Sequence, residues 1–520
     1  MHTAPRSASD RRARLAEWIG EPRHGLLLVL LLAAAARVTA MVVFPSLYGP
    51  DENFQFLEAA HRIAFGYGIK TWEFVEGLRS LLLPTLFAKL LWLADQAGVG
   101  PEGYILIAHL LLGATSLIGV AAVYRMGLRS GPAHALLAGL VSATWFELVY
   151  FSFRPLNEAI ACDFLLVALA LGSAPATEYT RRRLLAIGFC LGLCLMLRLQ
   201  LLPGLGLAML WIGRLRIRTR WLPMILGALL PVCVFGLYDR VTWGQAFHSY
   251  VTSYRANILL DVAAKFGTEP FYWYPQSIAA AWAGALPLLL ALLALRLRSS
   301  ALWLLVAAAI LASHSLIQHK EARYVLPAIV CLVVVAAMGS ADLVERARTL
   351  LGERAYAPCL AGAAVFWLAT SASLAFAPGF GANWFRARDL LQVSYWLNAQ
   401  PGLCGLMLYD RNWYDTGGYA YLHRNVPIYS RLLDKNDPPD AESAYNFVLL
   451  DRKSLPRYTA PFGIDACFGE RPDDLCLISR PGNCQLVDDL RSILDKHRRE
   501  NSDSPMPLEE WLRSALPERH

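Results

Sequence analysis

Long apolar stretches separated by short charged turns recur along the chain, each near the twenty or so residues that a helix needs to cross a bilayer. The pattern predicts spans near Gly25–Phe44, Tyr104–Tyr124, Ala133–Ser152, Leu156–Ser173, Leu184–Leu202, Pro203–Gly213, Trp221–Tyr238, Ser277–Leu295, Ser300–Gln318, Tyr324–Ser340 and Tyr356–Phe376. Leu184–Gly213 is short for two crossings and reads as tilted or re-entrant. The run Leu81–Ala94 is apolar but carries Lys89, and Pro84 breaks it early. If it lies in the interface, Arg125/Arg129, Arg181–Arg183, Arg214–Arg220 and Arg296/Arg298 fall on the same side as the basic N-terminal arm (Arg6, Arg11, Arg12, Arg14). If it crosses, they fall opposite. Positive charge stays inside, so the run is read as an interfacial helix. That gives eleven spans, with the N-terminus in and the C-terminus out.

The first apolar run lacks a convincing cleavage site and reads as an anchor rather than a signal peptide. The expected organisation is a cytoplasmic arm (1–24), a transmembrane domain (25–377) whose first exported loop is 45–103, and an exported C-terminal domain (378–520). In that last part a helix-like stretch, Arg386–Asn398, and strand-like runs Gly405–Tyr409, Phe447–Leu450 and Leu475–Ser479 predict a small α/β domain.

Composition supports this division. The chain has 520 residues, 56% of them hydrophobic and 17% charged, and a mean hydropathy of +0.38. These values exclude an ordinary soluble protein. The net charge of +7 is explained by the basic loops that orient the spans, so no nucleic-acid partner is expected. Four of the ten cysteines (Cys404, Cys467, Cys476, Cys484) lie in the exported tail. They permit two disulfides in any of three pairings, or free thiols, and their spacing is not that of a zinc site. No Asn-X-Ser/Thr sequon occurs, which favours a bacterial inner membrane with a periplasmic face over an endoplasmic reticulum membrane.

Ionisable groups inside spans are costly and call for a reason. Arg37, His109, Glu147, Glu158, Asp163, Arg198 and His314 all fall in the exported halves of their spans, which predicts a polar cavity opening outward; the other reading is scattered structural pairs, such as Glu147 with a neighbouring Arg. Just after the first span, Gly49-Pro50-Asp51-Glu52 puts two carboxylates at the head of a loop on that same face. The pair suits a catalytic base that meets a lipid-borne substrate, although Pro-Asp-Glu is also a good helix start. Two outward turns add cations, Phe153-Arg154-Pro155-Leu156-Asn157-Glu158 and His319-Lys320-Glu321-Ala322-Arg323-Tyr324. The positive-inside rule gives no reason for Lys and Arg there, whereas a phosphate-bearing lipid does. Phosphate-binding Gly-Lys-Ser/Thr loops, His-Glu-X-X-His metal motifs and serine elbows are absent, and no metal or cofactor is expected. A transporter or flippase without transferase activity is the alternative. It predicts inverted hydropathy repeats and broken midplane helices, and no convincing pair of halves is visible.

The runs Gly49–Gln55, Glu58-Ala59-Ala60-His61-Arg62, Phe65-Gly66-Tyr67-Gly68, Thr71-Trp72-Glu73 and Leu78-Arg79-Ser80, with Pro84, resemble the first exported loop of glycosyltransferase family 22, which contains GPI and lipid-linked-oligosaccharide mannosyltransferases. Arg154–Glu158 and His319–Pro327 resemble two further elements of that family, and Gly417-Gly418-Tyr419 through His423-Arg424-Asn425 match loosely. Gly49, where the family commonly has His, and Pro155-Leu156 depart from its pattern. The resemblance implies an all-α polytopic GT-C-like helix bundle with exported interfacial helices and the small α/β C-terminal domain. It implies inverting transfer of mannose from a polyprenyl (dolichyl or undecaprenyl) phosphate mannose to a glycan or glycolipid acceptor. Asp51 is then the first choice of base and Glu52 the second. His319, Lys320, Arg323, Arg154 and Arg198 are the candidates for the donor phosphate, and Glu58, His61, Arg62, Asn157, Glu158 and Glu321 for substrate binding.

Overall fold

The computed structural model describes residues 21–431, 442–458, 460–485 and 492–493. The basic arm, with Arg6, Arg11, Arg12 and Arg14, lies outside the described residues. The chain folds into two compact units: one of the residues up to Val43 with His109–Gly236 and Ala263–Ala382, the other of Phe44–Ala108, Leu237–Val262 and the residues from Asn383 onward.

Among the described residues, six helices are long and apolar enough to cross a membrane: Pro22–Val43, Pro101–Leu128, Ile217–Trp243, Trp273–Ala294, Ala322–Leu351 and Glu353–Ala375. Shorter helices occupy the other five expected spans: Pro132–Thr144, Asn157–Gly172, Arg181–Leu197, Leu202–Gly213 and Ala301–Ser315. The protein is a multi-pass integral membrane protein.

In the first unit, Leu326–Leu351 is the central helix, buried along most of its length. Small residues let neighbours approach its backbone: a Cβ on Gly339 would lie 2.2 Å from the carbonyl oxygen of Leu292. The same device joins Arg181–Leu197 to Leu222–Trp243. A Cβ on Gly188 would meet the Met224 carbonyl at 1.9 Å, and one on Gly227 the Leu185 carbonyl at 2.1 Å. Lipid tails are as apolar as leucine, so such close packing, rather than hydrophobic burial, drives helix association in a bilayer.

Three expected spans are broken. Ala133–Ser152 is two helices, Pro132–Thr144 and Phe146–Phe151, separated at Trp145, whose backbone is extended. Ser277–Leu295 breaks at Ala283, which has a φ of 43°. Leu184–Leu202 breaks at Arg198, with φ −149° and ψ 95°, before a short turn leads into Leu202–Gly213. Two intramembrane charges are met by protein groups. Arg37 donates to Ser116 Oγ at 2.6 Å and to the carbonyls of Ala33 and Ala143. Glu147 accepts from Nε1 of Trp145 at 2.8 Å and of Trp282 at 3.4 Å, so indoles rather than an arginine hold it.

The second unit is built on a five-stranded sheet, β1 Leu406–Tyr409, β2 Ile428–Arg431, β3 Phe447–Asp451, β4 Gly463–Cys467 and β5 Leu475–Ser479, in the order β2-β1-β3-β5-β4. β1 pairs parallel with β2 and β3, and β5 antiparallel with β3 and β4. Both faces are covered. Leu406, Leu408, Phe447, Leu449, Leu475 and Leu477 pack with Leu390, Val393 and Leu397 of the Arg388–Asn398 helix and with Phe54 and Ile69 of the loop after the first span. Met407, Tyr409, Val448, Leu450 and Ile478 face a second, tyrosine-rich cluster. Burial on both faces is why β1, β3 and β5 read as continuous apolar runs. The disulfides are Cys404–Cys484 and Cys467–Cys476, the latter between paired residues of β4 and β5.

Candidate functional site

The loop after the first span opens with a helical turn, Pro50–Glu52, started by proline at its first position. It runs through a π-helical segment, Asn53–Leu57, into the helix Glu58–Phe65. Inserted π-turns disturb regular side-chain register and recur at functional sites. The two carboxylates differ in environment. Glu52 is fully buried and its Oε2 accepts the Tyr48 amide at 2.8 Å, whereas Asp51 is only half-buried.

Glu58 and His61 point into the protein. The Glu58 carboxylate accepts the Ile69 amide at 2.7 Å and the Ala420 amide at 2.8 Å. Burial pushes its pKa up to about 7, against the opposing effect of those amides. His61 Nε2 lies 3.0 Å from His423 Nδ1, and its Nδ1 lies 3.2 Å from the Tyr67 carbonyl. Burial, helped by His423, pushes His61 down to about 3. His423 in turn reaches Asp95, with Nε2 3.3 Å from Oδ1. Asn53 donates to the Gly417 carbonyl at 2.8 Å. Thus the loosely matched tail motif Gly417–His423 is clamped to the loop helix. Arg62 is exposed and donates to the Gly68 carbonyl at 3.0 Å.

A second cluster gathers loop residues given no role from the sequence. Glu73 accepts from Gln55 at 3.0 Å and from Arg79 at 2.9 Å. Their membership in the quoted loop runs was the available signal. Asp95 carried none, because it follows the doubtful apolar run. That run forms a helix, Leu82–Gln96, packed on the loop through an edge-to-face contact between Phe56 and Phe87.

In the membrane unit the cationic candidates converge. Arg198, at its helix break, forms an ion pair with Glu158 at 2.9 Å, and its guanidinium carbon lies 4.2 Å from the Tyr324 ring centroid. Glu158 stands in the first turn of Asn157–Gly172, beside half-buried Asn157. Glu321 accepts two hydrogen bonds from Arg323, each 2.9 Å, and one from the Tyr324 hydroxyl at 2.6 Å. Burial opposes ionisation of Glu321, but bonds from His319 and the Arg323 charge hold its carboxyl below the usual range. His319 also meets the Gly267 carbonyl at 2.9 Å. Lys320 is buried and donates to the carbonyls of Glu269 at 2.8 Å and Ile317 at 2.5 Å. Among the described residues it has no ion pair, although the Glu269 carboxylate acts on it electrostatically. Arg154 is buried over the Tyr150 ring, 3.8 Å from its centroid. No group of three or more potential metal ligands occurs among the described residues.

Comparison with known proteins follows the same lines. The family described as Alg9-like mannosyltransferase matches residues 28–423. GPI mannosyltransferase 3 of Yarrowia lipolytica is 27% identical over 414 residues, covering 77% of this chain and 76% of the relative. Mannosyltransferase APTG1 of Arabidopsis thaliana is 27% identical, covering 79% of this chain and 77% of the relative. Among solved structures, ArnT from Cupriavidus metallidurans bound to undecaprenyl phosphate superposes with a TM-score of 0.56 at 13% identity, covering 88% of this chain and 99% of that one. The fold is therefore GT-C-like, as the sequence predicts. With a family match across most of its length, the chain belongs to the Alg9-like mannosyltransferase family and is a membrane mannosyltransferase.

Proposed function

We propose that the protein transfers mannose from a polyprenyl-phosphate mannose to a hydroxyl of a glycan or glycolipid on the exported face, with inversion. The observation that carries this reading is the division of labour in the acid pair: Glu52 is buried on the Tyr48 amide, while Asp51 is left half-exposed at the loop head. Asp51 takes the proton of the acceptor hydroxyl as its oxygen bonds to the anomeric carbon. The bond from that carbon to the phosphate oxygen breaks, and the polyprenyl phosphate leaves with the electron pair. Lys320 is the first candidate to hold the charge it gains, because its hydrogen bonds go to carbonyls rather than to a carboxylate. Arg323, His319, Arg198 and Arg154 shape the field around it. Glu321 and Glu158 hold two of these cations in position, and Glu58 and His61 hold the loop in shape for the substrates.

The relatives' names, GPI mannosyltransferase 3 among them, support a mannose-bearing glycolipid acceptor. The undecaprenyl phosphate in the ArnT complex supports a polyprenyl-phosphate donor. Two disulfides in the sheet unit support an oxidising, exported compartment for it. The placement of the basic turns on one side supports an interfacial position for the Leu82–Gln96 helix. The test is incubation of purified protein with labelled polyprenyl-phosphate mannose and membrane lipid extract. Mass spectrometry should find an acceptor gaining one hexose; movement of the donor across vesicles with no product would favour the flippase.

A further inference from the structure

Arg220 is 4% exposed. Its guanidinium donates to the Ile212 carbonyl at 2.9 Å and lies 4.7 Å from the Tyr179 ring centroid. No ion pair to it occurs among the described residues; Arg216 and Arg214, which act on it, are themselves cations, and Tyr179 opposes them. A buried charge without a counter-charge is costly. Arg220 lines a polar cup of about 140 Å³ together with Arg214, Tyr179, Ser173, Ser299 and Ser300, and no carboxylate is among the cup's lining residues. Through Trp211, Arg214 and Leu302 the cup continues into a groove of about 310 Å³ walled by Leu207, Leu210 and Leu305. The shape is amphipathic: cations and hydroxyls at one end, and aliphatic walls from membrane helices along the rest.

The cup lies where three helices end or begin. Ser173 follows Asn157–Gly172, Arg214 follows Leu202–Gly213, and Ser300 precedes Ala301–Ser315. His319–Arg323 follow the opposite end of Ala301–Ser315, a helix of 15 residues and so about 22 Å long. The cup is therefore separate from the cations considered for the donor phosphate.

We propose that cup and groove bind one anionic glycerophospholipid, with its phosphodiester between Arg214 and Arg220 and an acyl chain along the groove. Guanidinium groups match phosphate oxygens in charge and geometry, and basic pockets between membrane helices are suited to anionic headgroups. The adjoining apolar groove selects a lipid over a free anion.

The test is thermal unfolding of delipidated, detergent-purified protein titrated with dioleoyl phosphatidylglycerol, dioleoyl phosphatidylcholine or inorganic phosphate. The expected result is a rise of a few degrees in the midpoint with phosphatidylglycerol alone. Ser300→Asp places a carboxylate in the cup at a position whose side chain makes no capping hydrogen bond to lose, and should remove that rise without lowering the lipid-free midpoint. Arg214→Gln, at an exposed position, should remove most of it. An equal rise with phosphatidylcholine would overturn the headgroup site, and one with inorganic phosphate would overturn the lipid. A rise undiminished in both variants would overturn the cup.

Discussion

His61 and His423, 362 positions apart in the chain, face each other with Nε2 and Nδ1 3.0 Å apart. The pair ends on acceptors at both sides, the Tyr67 carbonyl and the Asp95 carboxylate. Three hydrogen bonds along this line need three N–H groups, one more than two neutral imidazoles carry. Burial pushes His61 down to about 3 and lowers His423 too, although Asp95 opposes the latter. The unfolded chain therefore binds more protons than the folded one below the ordinary histidine value of about 6.5. Stability from this pair rises with pH across the range from about 3 to about 6.5, and acid erodes it. Glu58 acts in reverse: raised to about 7, it favours the folded state at low pH and loses that contribution as pH rises from about 4.5 to 7. The two effects oppose each other over the shared range, at up to about 1.4 kcal/mol per pH unit for each proton. The thermal midpoint of His61→Asn should accordingly rise on acidification from pH 7 to 5 relative to wild type, and that of Glu58→Gln should fall. Parallel curves for all three proteins would contradict the assignment.

The Glu58 clamp also predicts a steric effect. Gly418 has a φ of +59°, and a Cβ there would lie 2.6 Å from Glu58 Oε2. Gly418→Ala should destabilise by more than about 1 kcal/mol, through left-handed strain and displacement of a buried carboxylate. The double variant Gly418→Ala/Glu58→Gln should lose less than the sum of the two single changes, since they share one contact. Strict additivity in thermal unfolding would indicate that the clamp is not formed.

Much of the fold is legible because the bilayer imposes a length and a composition on each span. The breaks are not: apolar composition continues across Trp145 and Ala283, so hydropathy is blind to the backbone there. Strands buried on both faces declare themselves, as Phe447–Leu450 does, but the edge strands β2 and β4 are short and carry Ser430, Arg431 and Asp465 toward the outside. Asp51, Glu58, His61 and the Lys320–Arg323 group are visible as motifs. Asp95 is not, and the loosely matched Gly417–His423 run gives no sign that Ala420 and His423 meet Glu58 and His61, because only the fold brings distant chain segments together.

The proposed topology predicts a labelling pattern. Single cysteines at exposed Ala97 and Asn483 should react with an impermeant maleimide from the exported side, and those at Thr180 and Thr219 should not. Labelling of Thr219 from that side would make Leu82–Gln96 a crossing helix.

The cationic turn predicts a kinetic signature. Charge accumulates on the leaving phosphate as the glycosidic bond breaks, so Lys320→Ala and Arg323→Ala should lower kcat more than donor affinity. The loss for one such donor is about 2.7–4 kcal/mol, a hundredfold or more in rate. Lys320 also ties the Glu269 and Ile317 carbonyls together, so folding of each variant is checked by its thermal midpoint. A well-folded double variant with near-normal kcat would return the phosphate role to Arg154 and Arg198.

The most direct test of the mechanism is turnover of labelled polyprenyl-phosphate mannose by Asp51→Asn beside Glu52→Gln, with donor binding measured in parallel. If Asp51 is the base, Asp51→Asn binds donor with near wild-type affinity and forms no mannosylated product. Glu52→Gln keeps measurable turnover, because Glu52 serves the Tyr48 amide. Near-normal product formation by Asp51→Asn would contradict the account.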